Sequence, residues 1–163
     1  MAAQAFLIPR SARRARLEGR TALIQASARM IVTYLWVALG GALGSMARFW
    51  LGGAVAAWLG PGYPWGTIFI NIIGSFVIGF YGALSGPTGA VPGSLNARSF
   101  VLVGLCGGFT TFSAFSLQTF ELAQQQRWWG AAGNVVISVV VCLIAVWAGV
   151  AFARAFGGPP LPD

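Results

Sequence analysis

Residues 99–120 read SFVLVGLCGGFTTFSAFSLQTF, a charge-free run opened by Arg98 and closed by Glu121 and the QQQR of 124–127. A helix that crosses a bilayer needs about 20 consecutive apolar residues, so this run is long enough to span. Three others resemble it. Met30 to Ala47 carries no charge, and after Arg48 the apolar sequence resumes to Leu59, which places a first span near 31–52. Trp65 to Leu84 is uncharged, and a last span runs from about Trp129 to Phe152, ending at Arg154. GPGYP at 60–64 and the Gly/Pro-rich stretch 85–97 separate them, and such clusters mark turns and loops. The expected fold is an all-α integral membrane protein with four transmembrane helices and short loops.

Composition excludes most other classes. Only 13 of 163 residues are charged, or 8%, and 57% are apolar, where a soluble globular chain carries about 25% charge. Such a chain cannot cover a soluble surface, which argues against a cytosolic enzyme, a nucleic-acid-binding domain or a disordered regulator. The net charge of +7 comes entirely from arginine, and six of the ten lie in the first 29 residues (Arg10, Arg13, Arg14, Arg16, Arg20, Arg29). No basic face is left for a nucleic acid. Histidine, the commonest general base and metal ligand, is absent, and the acids are Glu18, Glu121 and Asp163 only. No carboxylate pair can be placed in a core, so no enzyme is expected. Cys106 and Cys142 sit inside apolar runs without CxxC spacing and read as inert core residues. Tyr34, Trp36, Tyr63, Trp65, Tyr81, Trp128, Trp129 and Trp147 fall mostly near the span ends, as interfacial aromatics do.

Three segments follow. Residues 1–29 are Arg-, Ala- and Ser-rich and acid-poor, like a transit peptide or a basic tail. They are expected to be disordered or untranslated, since Met30 opens the first apolar run directly. Residues 30–155 form the four-helix domain, and 156–163, rich in Gly and Pro, form a disordered tail. With four spans, both termini share a side with 85–97. That side holds Arg98 and Arg154, with Arg29 at the helix edge, against Arg48 and Arg127 opposite. This near tie is too small to fix an orientation and suggests insertion both ways, whereas the arginines of 1–29 would force the N-terminus inside.

Polar groups within a span are costly and are functional candidates by default. Arg48 reads either as an arginine snorkelling to the interface or as an electropositive vestibule for an anion. Asn71, in the second span, is either interhelical glue or a donor to an anion losing its water. Gly104, Gly107 and Gly108 precede Thr110 and Thr111 at membrane depth. Clustered glycines weaken a helix and favour a break, whose free carbonyls would need protein, water or a cation such as Na⁺. Close helix packing is the competing reading. Phe112 and Phe115, three apart, share a helix face, with Ser113 and Ser116 interleaved. The positive edges of phenyl rings can line an anion path, although such a pair in isolation is more often core.

The segments GGALGSMARFW (40–50), GTIFINIIGSFVIGF (66–80) and GLCGGFTTFSAFS (104–116) resemble the CrcB/Fluc fluoride channels, over roughly residues 31–155. The resemblance implies a dual-topology, antiparallel homodimer of four-helix subunits with a broken third helix, in the inner (plasma) membrane. Its two pores pass F⁻ passively, exclude other anions and so lower fluoride toxicity. It implies a structural or activating Na⁺ at the dimer interface, on the backbone carbonyls of Gly107 and Thr110, and no organic cofactor. It puts the pore at Phe112, Phe115 and Asn71, with hydroxyls from Thr111, Ser113, Ser116 and, in the fourth span, Ser138; Arg48 falls in the vestibule. The implied partners are fluoride, the lipid bilayer and a second copy of the chain, or a paralogue in a heterodimer. Gln118 and Asn134 depart from the family, which often has Glu and Tyr there. The rival reading is a small dual-topology, proton-coupled exporter of toxic cations. That chemistry needs a membrane-buried carboxylate, and the only acid in these spans, Glu121, lies at the third span's end.

Overall fold

The structure, a computed structural model, describes residues 10–86, 89, 91 and 93–157. The regular elements are helical: α1 (Arg10–Leu59), α2 (Trp65–Leu84), a short α3 (Leu95–Arg98), a π-helical stretch (Ser99–Leu105), α4 (Cys106–Phe109), α5 (Phe112–Gln124), α6 (Trp128–Ala153) and a 3₁₀ turn (Arg154–Phe156). Four helical segments are long and apolar enough to cross a bilayer: Leu17–Leu59, Trp65–Leu84, Leu95–Gln124 and Trp128–Phe156. The chain is a multi-pass membrane protein.

The first element begins in the N-terminal segment, well before the first apolar run. α1 holds 50 residues, about 75 Å at 1.5 Å per residue, more than twice a hydrocarbon core of about 30 Å. Residues 10–29 are helical and continuous with the first span. Arginine and alanine are both good helix formers, and Gly19 is the only glycine or proline between Arg10 and Leu39. Residues 17–32 are exposed throughout. The first inward contact of α1 is Thr33, whose hydroxyl donates to Asn96 Oδ1 at 2.9 Å. Residues 1–9 and most of the C-terminal tail, 158–163, lie outside the described residues.

The spans pack as two pairs, α1 along the Ser99–Phe109 region and α2 along α6. Small residues set both crossings. A Cβ on Gly44 would overlap the Leu105 carbonyl, and one on Gly108 would overlap that of Gly41. Backbones in lipid approach this closely only through such residues. The outer surface is apolar, with Trp129 92%, Phe49 87% and Trp58 78% exposed, the reverse of a soluble protein.

Each end of the bundle is tied by one arginine. At the end where α1 enters, Arg98 donates to the Ser85 carbonyl and, at 3.1 Å, to its hydroxyl, placing a cation at the C-terminus of α2. At the other end Arg127 donates to the Gly62 carbonyl at 2.7 Å, and the Tyr63 hydroxyl donates to the Gly130 carbonyl at 3.1 Å. Burial pushes the Tyr63 phenol up, against a smaller opposing pull from Arg127, so it remains a donor.

Candidate functional site

Between α4 and α5 the backbone leaves helical geometry for two residues, Thr110 (φ −81°, ψ 159°) and Thr111 (φ −153°, ψ 115°). Thr110 closes α4: its N–H and hydroxyl both donate to the Cys106 carbonyl, at 2.9 and 2.8 Å. Thr111 opens α5 as an N-cap, its Oγ1 accepting from the Ala114 N–H at 3.1 Å, as threonine does at such positions.

Asn71 holds this junction from α2. Its Oδ1 accepts from the Thr111 N–H at 2.9 Å, and its Nδ2 donates to the Thr111 carbonyl at 3.1 Å. The N–H of Thr111 can only donate, so the amide's orientation is fixed by chemistry. One Nδ2 hydrogen remains uncommitted. The interhelical-glue reading of Asn71 thus describes one side of its amide and leaves the other side available.

The junction frees two carbonyls: the Ala114 N–H turns to Thr111 Oγ1 and not to Thr110. In a continuous helix Gly107 would accept from the N–H four residues on, but Thr111 donates to Asn71 instead. Among the described residues no hydrogen bond reaches the carbonyls of Gly107 or Thr110. Gly107 is exposed, and a Cβ built on it meets nothing within 4 Å. Two neutral oxygens near an open face fit a hard cation that several carbonyls share.

Six of the residues singled out in the sequence converge on one open groove of about 400 Å³. Asn71, Thr110, Thr111, Phe112, Phe115 and Ser138 all line it. Ser75 and Cys142 line it too and were not anticipated. Phe112 is 77% exposed and Phe115 only 8%; their ring centroids lie 5.2 Å apart, tilted by 44°. A second, larger cavity of about 1180 Å³ holds Arg48, with Gln118, Glu121 and Arg127. Thr111 lines both cavities, so the arginine-bearing space adjoins the phenylalanine groove at the helix junction. Ser113, Ser116 and Gly107 line neither.

Several of the hydroxyls at and beside the groove are already committed. Ser116 donates back to the Phe112 carbonyl at 2.9 Å. Thr111 and Ser113 share one hydrogen bond of 3.1 Å between their hydroxyls, which leaves one proton of that pair over. Ser138 points at Asn134 Oδ1 over 3.4 Å, a long contact for hydroxyl to oxygen. An anion in the groove would find the spare Asn71 hydrogen, the hydroxyl of Ser75, which bonds to none of the described residues, one hydroxyl proton of the Thr111/Ser113 pair and the phenyl edges.

Sequence reasoning gave too little weight to Asn134. It is 1% exposed and donates to Thr119 Oγ1 at 2.7 Å, which in turn donates to the Phe115 carbonyl at 2.7 Å. The signal was present: an amide in an otherwise apolar span meets the same criterion that singled out Asn71.

The model of the family described as CrcB-like protein, camphor resistance (CrcB), matches residues 35–150. The chain belongs to the CrcB family. That match contains every candidate residue above and leaves the helical extension of α1 outside it. Among CrcB relatives, a protein of Methylocella silvestris is 55% identical over 116 residues, 71% of this chain and 88% of its own length. One of Rhodospirillum rubrum is 58% identical over 120 residues, 72% of this chain and 92% of its own. One of Opitutus terrae is 53% identical over 116 residues. Each is named a fluoride-specific ion channel.

Proposed function

We propose that this chain is a subunit of a fluoride-selective channel that lets cytoplasmic F⁻ leave passively through the plasma membrane, without enzymatic chemistry. The observation that carries the reading is the convergence of Asn71, Thr111, Phe112, Phe115 and Ser138 on one groove that adjoins, at Thr111, the space holding Arg48. The relatives' names agree with it.

Fluoride is small and strongly hydrated, so a path for it must replace water with donors. The arginines of the larger cavity raise the local concentration of anions. The spare Asn71 hydrogen, a hydroxyl and the ring edges then substitute for hydration, and none carries a full charge that would trap the ion. Neutral fluoride, HF, crosses a bilayer unaided and ionises inside; a passive channel returns the anion.

The groove is open, with Phe112 largely exposed, and polar groups facing lipid are costly. A second subunit, inserted in the opposite direction, closes it; that subunit is a copy of this chain or a paralogue. A Na⁺ between the two subunits would be held by the free carbonyls of Gly107 and Thr110. There it would neutralise their exposed dipoles and raise the potential felt by anions.

Reconstitution in liposomes with a fluoride electrode tests the reading. The expected result is F⁻ efflux without Cl⁻ efflux, lost in Phe112→Ile. Efflux of both ions, or none from properly assembled protein, overturns it.

A further inference from the structure

The hydroxyls of the spans differ in what they do with their protons. A serine or threonine in mid-helix either points outward or donates to the carbonyl four residues before it. Thr110, Ser116 and Thr119 donate back in this way, to Cys106, Phe112 and Phe115 at 2.8, 2.9 and 2.7 Å. Ser45 instead reaches the Gly108 carbonyl, and Ser138 reaches Asn134 Oδ1, both at 3.4 Å. Ser75 does neither. It lies within α2, with the Asn71 carbonyl four residues before it, yet its hydroxyl bonds to none of the described residues.

The place of Ser75 gives this proton a use. α2 starts beside the Arg48 cavity, which Pro64, Gly66, Thr67 and Ile70 line, and ends at Ser85, where Arg98 binds. Asn71 stands at the junction of α4 and α5. Ser75 lies one turn further from the Arg48 cavity, about 6 Å along the axis, and lines the same groove as Asn71. α6 starts near Tyr63 and passes Phe80 at its far end, so it runs alongside α2 in the same direction. Cys142 therefore lies one turn beyond Ser138, but a thiol is only a weak donor. The lining further on is Ile78, Leu143 and Val146. Of the other hydroxyls in the groove, Thr110 is committed to Cys106, Thr111 shares a bond with Ser113, and Ser138 points at Asn134. An ion that moves off Asn71, away from the arginines, meets in Ser75 a hydroxyl whose proton is wholly free. A polar group kept without a partner among apolar side chains is costly, and an anion in the groove removes that cost.

We propose that Ser75 is a second ion-binding step of the groove, whose hydroxyl takes the anion over from the Asn71 amide one turn further on. The inference rests on the channel reading above and adds to it a residue and the next position of the ion. A hydrogen bond from a hydroxyl to an anion is charge-assisted and short, so the step suits a small ion. Ser75 carries no charge of its own, so the ion can leave again.

The test compares the full chain with Ser75→Ala and Ser75→Thr, by fluoride efflux from liposomes and by thermal unfolding in detergent. Ser75→Ala removes the proton and leaves the Asn71–Thr111 clamp whole. Efflux of F⁻ should fall by about tenfold or more, the scale of one hydrogen bond to a charged group, with thermal stability unchanged. Ser75→Thr keeps the hydroxyl and should restore most of the efflux. Efflux from Ser75→Ala equal to that of the unmodified chain, or a loss that Ser75→Thr does not restore, overturns the inference and leaves the channel reading standing. A fall in thermal stability that accompanies the fall in efflux means that Ser75 holds the helices together, and overturns it too. An unmodified chain that assembles but passes no F⁻ overturns the channel reading, and the Ser75 step with it.

Discussion

The third membrane segment presents two faces held by opposite means. Toward α1 it is closed by backbone: Gly104 and Gly108 meet the carbonyls of Val37 and Gly41, and Leu105 fills the space left by Gly44. Toward the groove it is open, and side chains set its geometry, with Asn71 gripping Thr111 from both sides. The three glycines grouped in the sequence as signs of a break therefore divide. Gly104 and Gly108 are packing residues, the departure from helix falls at Thr110 and Thr111, and Gly107 alone faces open space. Where backbone touches backbone no atom can be added; where side chains hold backbone, one hydrogen bond decides the path.

That contrast can be broken first at its closed face. Gly44→Val forces a branched side chain into the Leu105 carbonyl. Overpacking costs about 1–3 kcal/mol and sometimes more, and a backbone obstacle puts this case at the upper end. The expected outcome is loss of monodisperse protein in detergent. Gly107→Ala meets nothing within 4 Å and should shift subunit stability by no more than about 1 kcal/mol, in the stabilising direction for a helical site. Equal damage from both substitutions would erase the distinction between the faces.

The open face is tested at its clamp. Asn71→Leu leaves the Thr111 N–H without its partner, a penalty of about 1–3 kcal/mol, and removes the spare donor. Fluoride efflux should fall by at least about tenfold, the equivalent of some 1.4 kcal/mol. Asn71→Asp keeps an acceptor for the Thr111 N–H but sets a second acceptor oxygen against the Thr111 carbonyl, so it should lose stability as well as efflux. Normal efflux in both variants would separate the clamp from the path.

How far these faces could be read in advance depends on what each residue's role requires. The four spans follow from runs of uncharged residues, because lipid demands apolar surface whatever the tertiary contacts. The α2 limits, Trp65 and Leu84, were legible to the residue for that reason. The convergence of Asn71, Phe112, Phe115 and Ser138 was legible through the family motifs, since spacing alone cannot show that α2, α5 and α6 meet. The helix at 10–29 is less legible, because charge and low complexity suggest disorder while arginine and alanine each favour helix and no proline intervenes. The carbonyls of Gly107 and Thr110 could be anticipated only through the family. Gly107 loses its partner to Asn71 and Thr110 loses its own to the Thr111 hydroxyl, and the reach of Asn71 exists only in the fold.

The two groove phenylalanines sharpen the comparison within the open face. Phe112 is mostly exposed and Phe115 mostly buried, although they lie one turn apart. Phe112→Ile should leave thermal stability within about 0.5 kcal/mol, as surface changes do, while sharply reducing efflux. Phe115→Ala removes a buried ring, and the same assay should show a loss of stability of about 3 kcal/mol or more. A stability loss in the first variant as large as in the second would mean that the exposed ring is already packed within one subunit.

The smallest effect lies in the network behind Phe115. Asn134 contacts Thr119 at 2.7 Å and Ser138 at 3.4 Å. Only the first is a good hydrogen-bond length, so the two contacts should differ in energy although one amide makes both. A double-mutant cycle on unfolding, with Asn134→Ala against Thr119→Ala, should give a coupling of about 1 kcal/mol. The cycle against Ser138→Ala should give less than about 0.5 kcal/mol, the level at which separate sites add. A weak second coupling means that the Ser138 proton can turn into the groove when an anion arrives. A strong one means that Asn134 withholds it, and the path for the ion then depends on Asn71, Ser75 and the Thr111–Ser113 pair.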